Sequence, residues 1–437
     1  MQFKSLKSFT AGFYEPSLFH IHIDGDVKLD DWKSWDEDSL YAFFHEYIHF
    51  LQDIMTCFGL YNMYVNGEYI SYATNTIYPL KSGEFKVPIP IVPGPNKVYD
   101  NKQIKSITLA YSELLPNNQE HPMNILGVPK EYKRSVPIWG GSIQVEDYKV
   151  SALQGNFSIG GFQILESMAY LAQKAIYGSS MPYKAPNYPY DVVEQIARKV
   201  ITPLPDSQEF SAFLFGLCHV SLMTSNPAKT FTHLLEETKS KQPLADWKVT
   251  LEEFYRNTYV KDLNGQVKTI IQAVDTFKII ALQNLDKQLY TPEHLLVRKW
   301  YHNAIEEMCA WWQANPMLLV DLLTFGPLKT NSIFTTFIER IGTPLLTNIH
   351  DESYIYQPKN IDIPLKQHAR LMAAGSIIST LEDADFKCGL YDYCKKRGCC
   401  VDDRCLTSPW KRARRFFPCP YGHLWYGWGL SKFNPVK

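Results

Sequence analysis

A histidine–glutamate–x–x–histidine motif near the start of this 437-residue chain constrains its fold more than any other feature. It reads His45-Glu46-Tyr47-Ile48-His49 and lies within a long apolar segment. Residues four apart in a helix share one face, so the two imidazoles can converge on one metal ion. Glu46 would lie about 100° further round the helix, where its carboxylate can reach a water without binding the metal.

The residues around the motif predict a buried helix. Ser34 and Glu37 have the spacing of a capping box, and Gly59 is suited to cap the C-terminus of a helix that ends near Phe58. Burying two imidazoles and several carboxylates in one stripe costs free energy unless each is hydrogen-bonded or bound to a metal. The pattern therefore favours a zinc site over ordinary core histidines. The polar stripe of this otherwise apolar helix consists of Asp38, His45, Glu46, His49, Gln52 and Asp53.

A catalytic zinc site needs a third protein ligand and one position left for water. Six residues after His49, where metzincins have a third histidine, this chain has Met55. The best candidate is Glu166, which lies in a second apolar helical segment at residues 162–176. Asp53 or a distant histidine remains an alternative. The second segment also has a single polar stripe, which consists of Gln163, Glu166, Tyr170 and Gln173.

The pair formed by His45-Glu46-x-x-His49 and the later helical Glu166-x-x-Ala169 resembles the gluzincin branch of the zincin metallopeptidases. The resemblance covers two short helices, and the segment between them is long for the family. It implies that His45, His49 and Glu166 bind zinc and that Glu46 is catalytic. The implied reaction is peptide hydrolysis, in which Glu46 takes a proton from a zinc-bound water and returns it to the leaving amine. Tyr170 and His423 are candidate oxyanion donors.

The fold class we expect is α+β. A zincin-like metallopeptidase core at residues 1–190 would contain a β- and loop-rich insertion at about residues 60–160. A large, mostly helical domain would follow at residues 191–385, and a small cysteine-rich, basic module at residues 386–437. The alternating residues 19–23 predict a strand that could pair with an extended substrate at a sheet edge. We favour an ordinary role for His20 and His22, as strand residues that face solvent.

The C-terminal module contains most of the cysteines of the chain. Their density favours a second, structural zinc ion over an iron–sulfur cluster or packed free thiols, although no Cys-x-x-Cys pair is present. Lys411 to Arg415 form a basic run that could bind nucleic acid but is more typical of a solvated or acid-docking surface. The cysteines of the module are Cys388, Cys394, Cys399, Cys400, Cys405 and Cys419, and those expected to be inert in the core are Cys57, Cys218 and Cys309.

Composition indicates a folded globular protein, since 45% of residues are hydrophobic and 20% are charged. A formal net charge of −1 gives no overall attraction to nucleic acid or to an anionic membrane. We find no apolar run long enough for a signal peptide or a membrane span, so we expect a cytoplasmic protein with a peptide or protein substrate. Two alternatives stay open: a zinc hydrolase of a non-peptide amide, and a metal-stabilised protein that binds protein or nucleic acid. The intact Glu46 argues against the binding protein, which would not need it.

Overall fold

The computed structural model combines helices and strands, which agrees with the predicted α+β class. The structure describes residues 6–7, 12–15, 19–81, 83–110, 124–153, 155–181, 185–201, 208–241, 246–262, 265–324, 326–414 and 419–437.

The helices carry most of the buried side chains. Their bounds are α1 Glu37–Met55, α2 Cys57–Ile77, α3 Val98–Leu109, α4 Gly161–Tyr177, α5 Asn187–Tyr190, α6 Val192–Val200, α7 Gln208–Leu222, α8 Pro227–Ser240, α9 Trp247–Asn257, α10 Ile270–Gln288, α11 Leu295–Ala314, α12 Leu318–Thr324, α13 Ser332–Arg340, α14 Leu365–Leu371, α15 Ala373–Asp383, α16 Tyr391–Lys396, α17 Arg404–Thr407 and α18 Pro420–Gly427.

The strands form small sheets. Within the described residues the largest has the order β1-β2-β3-β10-β11; the others are a meander β5-β6-β7, a parallel pair β12-β4 and a hairpin β8-β9. Their bounds are β1 Leu6–Lys7, β2 Gly12–Glu15, β3 His20–Ile23, β4 Gly83–Lys86, β5 Lys130–Ile138, β6 Gly141–Ala152, β7 Gly155–Ile159, β8 Tyr259–Lys261, β9 Val267–Thr269, β10 Leu345–Asn348, β11 Ser353–Tyr354 and β12 Phe433–Val436.

Helix α1 carries the motif as predicted, but its ends differ from the prediction. Its N-cap is Asp36, whose side chain accepts a hydrogen bond of 2.7 Å from the backbone N–H of Ser39. The predicted capping residue Ser34 lies outside the helix and donates instead to the carbonyl of Asp31. The chain becomes extended at Thr56, which ends α1 and caps α2 by accepting from the N–H of Gly59 at 3.0 Å. Gly59 is therefore in the first turn of α2 and does not cap α1.

The prediction of an extended, loop-rich region at residues 60–160 was wrong in its first half. Helix α2 continues to Ile77, and α3 occupies part of the following segment. The proline-rich residues 87–95 are non-helical, as expected, and β5 to β7 account for the strands. Most of α2 is buried around its circumference, so its sequence lacks the amphipathic period by which a helix is usually predicted.

Strand β3 is confirmed, but its predicted position at a sheet edge was wrong. It pairs with β2 antiparallel on one side and with β10 parallel on the other, so its backbone has no free edge for a substrate. His20 is buried and His22 half-buried; both rings hydrogen-bond the Thr347 hydroxyl, at 2.9 and 2.8 Å. The expectation that both rings face solvent was therefore also wrong.

Two large apolar cores organise the described part of the molecule, beside a small third cluster of Ile107, Val136 and Val145. The larger contains α1, α4, α7 and α11, with members from Tyr14 to Leu371. The smaller joins the end of α2 and the region of β4 to α15 and to the C-terminal residues, including Trp425. The expected division into domains at residues 190 and 385 stays a prediction. Among the described residues, no helix is both long and apolar enough to cross a lipid bilayer.

Candidate metal centre

The two motif histidines lie side by side on the buried face of α1. Their Nε2 atoms are 3.2 Å apart, as expected for residues separated by one helical turn. His45 is 4% exposed and His49 is 2% exposed. Both rings direct the same nitrogen toward one point, which is the arrangement that binding of a single ion requires.

Helix α4 brings Glu166 to the same point from the other side. Its Oε2 lies 3.4 Å from Nε2 of His45 and 3.5 Å from Nε2 of His49. One ligand atom from each residue lies within 4.8 Å of the others, and this is the single such group of histidine, cysteine or acidic residues in the described part of the chain. His45, His49 and Glu166 could therefore hold a metal ion, and the alternative ligand Asp53 instead accepts a hydrogen bond of 2.8 Å from Tyr14.

Two glutamines hydrogen-bond the ring nitrogens that face away from the metal position. Nδ1 of His45 lies 3.1 Å from Oε1 of Gln173, and Nδ1 of His49 lies 2.8 Å from Oε1 of Gln52. Each amide nitrogen donates to a backbone carbonyl, at Tyr41 for Gln173 and at Leu165 for Gln52. Because the amide nitrogen is thus engaged, the oxygen must face the ring, which makes Nδ1 the protonated nitrogen of each neutral imidazole. The lone pair of each Nε2 is then directed at the metal position.

Charge is balanced within the cluster by Glu166. Burial raises the pKa of this carboxyl group, but the His49 and His45 rings outweigh burial and hold the pKa at about 2. Burial lowers the pKa of His49, yet the Glu166 carboxylate, helped by Glu46, raises it to about 9. In the absence of metal, His49 is thus cationic at neutral pH and takes the place of the ion's positive charge beside Glu166.

Glu46 is fully buried beside this cluster. Its negative charge raises the pKa of His49 and contributes to the high pKa of Tyr14, so the carboxylate is close to both rings. Strand β2 approaches it closely: a Cβ on Gly12 would lie 3.6 Å from Cγ of Glu46 and 2.4 Å from the carbonyl oxygen of His22. A side chain at residue 12 would therefore force β2 away from β3, whereas its contact with Glu46 would be an ordinary van der Waals distance.

Two tyrosine rings flank the imidazoles. Tyr14 stacks with His49, with ring centroids 6.3 Å apart, and Tyr190 packs edge-on against His45 at 5.7 Å. Tyr170, a predicted oxyanion donor, contacts Tyr190 at 6.1 Å and is thus one ring further out.

The other predicted oxyanion donor, His423, lies on α18, which packs on α14 and α15 in the C-terminal part of the fold. Burial is the main cause that lowers the pKa of the neighbouring His294 to about 4, and Arg370 and His423 make smaller contributions in the same direction. His423 thus belongs with that cluster of side chains.

The sequence did not identify the residues that support the ligands. The sequence places Gln52 and Gln173 in the polar stripes of their helices, and their spacing from His49 and Glu166 is the signal that indicates their role. Nothing local to Tyr14 or Tyr190 indicates that these rings reach the motif helix. A scan of protein-family models finds no match to this chain, and comparisons with curated proteins and with solved structures find none either.

Proposed function

We propose that this chain is a zinc-dependent metallohydrolase of the peptidase type, built on a zincin-like core. The observation that carries the proposal is the convergence of His45, His49 and Glu166 on one point, next to the buried Glu46 of the same helix. Two imidazoles and one carboxylate are a ligand set that catalytic zinc sites use, with a fourth position left for water or substrate. The expected cytoplasmic location stays a prediction.

When bound, zinc would supply a Lewis acid that lowers the pKa of water and polarises a carbonyl group. The residues of the chain would perform the proton transfers. Glu46 follows His45 directly and therefore points to a different side of α1 from the two ligands. Its carboxylate is suited to accept the proton of the attacking water and to pass it to the leaving amine.

The environment of the ligands supports binding of a cation. The Glu166 carboxyl, with a pKa of about 2, is ionised at neutral pH. Both imidazoles have Nδ1 occupied by a glutamine oxygen, which orients Nε2 without further rearrangement. The peptide substrate is the part of the proposal that rests on the resemblance to gluzincins. A non-peptide amide is the alternative substrate.

The test replaces the proposed base with its neutral isostere. Glu46→Gln should keep zinc, because Glu46 is not a ligand, and should slow hydrolysis by roughly 10²-fold or more. Zinc-loaded wild type and Glu46→Gln are incubated with a proteome-derived peptide mixture, and new termini are counted by mass spectrometry. Glu37→Gln is the matched control, since Glu37 begins the same helix and its side chain is 62% exposed.

Cleavage by wild type and Glu37→Gln, together with its loss in Glu46→Gln, would support the peptidase. Equal cleavage by Glu46→Gln and wild type would remove Glu46 from the reaction and refute the proposal. If no peptide is cleaved but small amides are hydrolysed in a Glu46-dependent manner, the hydrolase is retained and the peptide substrate is wrong.

A further inference from the structure

The six cysteines of the C-terminal module surround a single cavity. They come from separate segments, yet all of them line one space of about 360 Å³, together with the buried Arg412. All six are free thiols rather than disulfides. The residues are Cys388, Cys394, Cys399, Cys400, Cys405 and Cys419.

Four of these thiols are buried or partly buried. Cys399 and Cys400 are exposed, whereas Cys388, Cys394 and Cys405 are buried and Cys419 is partly buried. The four come from different elements: Cys394 lies on α16, Cys405 on α17 and Cys419 caps α18, while Cys388 precedes α16. The backbone N–H of Cys388 donates to the carbonyl of Cys405 at 2.8 Å, which fixes two of the segments against each other.

The same four thiols influence one another electrostatically. Burial is the main cause that raises the pKa of Cys388 to about 12, and the neighbouring Cys419 and Cys405 make smaller contributions. The pKa of Cys394 is also raised to about 12, mainly by burial and to a smaller extent by Cys399, Cys388, Cys419 and Cys405. Cys405 in turn raises the pKa of Cys419, for which burial is the main cause. All four thiols line the same cavity.

Their separation does not suit one zinc ion. Sulfur ligands lie about 2.3 Å from zinc, so no two of them on one ion can be more than about 4.6 Å apart. Among the described residues, which include all six cysteines, no three of these sulfurs lie within 4.8 Å of one another. An iron–sulfur cluster spreads its ligands, because each cysteine binds a different iron atom.

A buried positive charge faces the thiols. Arg412 is 3% exposed and lines the cavity. Its guanidinium contacts the carbonyl oxygen of Cys400 and lies 3.4 Å from Asp402, while its Nε has no hydrogen-bond partner among the described atoms. A cluster held by four thiolates is anionic, and a buried arginine beside it would offset that charge. Arg412 is thus not part of the solvated surface that the sequence suggested for the basic run.

We propose that this cavity binds a [4Fe–4S] cluster through Cys388, Cys394, Cys405 and Cys419. A preassembled cluster with an open position on each iron takes one thiolate per iron, and the four thiol protons go to solvent. The cluster would tie α16, α17 and the start of α18 together within the smaller core.

The test reconstitutes the full-length protein without oxygen, using equal amounts of ferrous and ferric iron with sulfide in one sample and zinc alone in another. The wild type should bind about four iron and about four sulfide per chain and gain the visible absorption of an iron–sulfur cluster. Cys405→Ser and Cys394→Ser should lose most of both, whereas Cys399→Ser, at the exposed rim of the cavity, should keep them. Cys218→Ser, a buried thiol in α7, is the control for general disturbance of the core.

Retention of metal by His45 and His49 in each variant would show that the larger core is still folded. Binding of a second zinc ion per chain in the zinc-only sample, beyond the one expected at His45, His49 and Glu166, together with its loss in Cys405→Ser, would overturn the proposal in favour of a zinc module. Failure of the wild type to bind iron and sulfide would overturn it as well, as would equal loss in Cys399→Ser and Cys405→Ser. Disulfides among these cysteines in protein from thiol-blocked cells would also contradict it.

Discussion

At the scale of single residues, the metal centre depends on the glutamines as much as on the ligands. A neutral imidazole can carry its proton on either nitrogen, and only the form with the proton on Nδ1 leaves Nε2 free for a metal. Gln173 and Gln52 select that form, at 3.1 and 2.8 Å from Nδ1 of their histidines. Each glutamine is itself fixed by a backbone carbonyl, so the rings are oriented before any ion binds.

We therefore expect Gln173→Ala to weaken zinc binding by about 10- to 100-fold, the usual effect of losing a partner of a ligand. The affinity is measured by competition with a chromogenic chelator. Gln313→Ala is the matched control, because its amide also donates to a backbone carbonyl, that of Ile271 at 3.0 Å, but supports no ligand. Unchanged affinity in Gln173→Ala would mean that the hydrogen bond to His45 does not orient the ring.

The charges of His49 and Glu166 predict how the metal-free protein responds to pH. The pKa of His49 rises from 6.5 to about 9 on folding. Its contribution to the stability of the folded protein is therefore complete below pH 6.5 and is lost as pH rises through 9. The pKa of Glu166 falls from 4.5 to about 2 on folding. Its contribution to the stability of the folded protein is therefore complete above pH 4.5 and is lost as pH falls toward 2. The pair stabilises the metal-free fold most between pH 4.5 and 6.5.

Comparison of wild type with Glu166→Gln isolates this pair from the other titrating groups. In the presence of a chelator, wild type should be the more stable at pH 5.5, by an amount on the order of 3 kcal/mol. The difference should shrink steadily between pH 6.5 and 9. Denaturant unfolding at several pH values measures it, and a difference that grows over that range would contradict the assigned ion pair.

At the scale of elements, the centre exists because α4 lies very close to neighbouring helices. A Cβ on Gly161, in the first turn of α4, would lie 2.3 Å from Cε1 of Phe58, which is fully buried in α2. No room is available for that atom, so the glycine sets how near α4 can approach. Glu166 follows five residues later and depends on the same approach.

Gly161→Ala should therefore destabilise the protein by about 1–3 kcal/mol through overpacking and should also weaken metal binding. Thermal unfolding and zinc affinity measure the two effects. Gly141→Ala is the control, because a Cβ there would meet nothing within 4 Å. Adding Phe58→Leu should restore part of both properties, and a Gly161→Ala variant as stable as Gly141→Ala would refute the close approach.

The elements also differ in how well the sequence predicts them. Helices α1 and α4 each have one polar stripe on an apolar cylinder, and both were predicted within a few residues. Helix α2 was missed because apolar residues surround it and Gly59 and Gly67 interrupt its pattern. Gly67 is nevertheless required, since a Cβ there would lie 1.6 Å from Oδ1 of Asn284 in α10. A contact of that kind comes from another part of the chain, so local sequence does not report it.

At the scale of the whole molecule, the centre joins residues that are 121 positions apart, His45 and Glu166. The sequence singled out both residues because buried charge needs a partner. It could not show that they meet, because their meeting depends on the packing of α1, α4 and α7 within the larger core. The sequence could not show that β3 lies inside the sheet for the same reason, because its neighbour β10 comes from residues more than 300 positions later.

The central claim is that one metal ion binds to His45, His49 and Glu166, and metal content tests it most directly. Three proteins are compared: wild type, His49→Ala and the control His302→Ala. The half-buried ring of His302 pairs with Asp286 outside the centre. Each protein is saturated with zinc, passed through a desalting column and analysed by elemental mass spectrometry. The account predicts that His49→Ala carries one zinc fewer per chain than wild type and His302→Ala. Equal zinc content in all three proteins would contradict it.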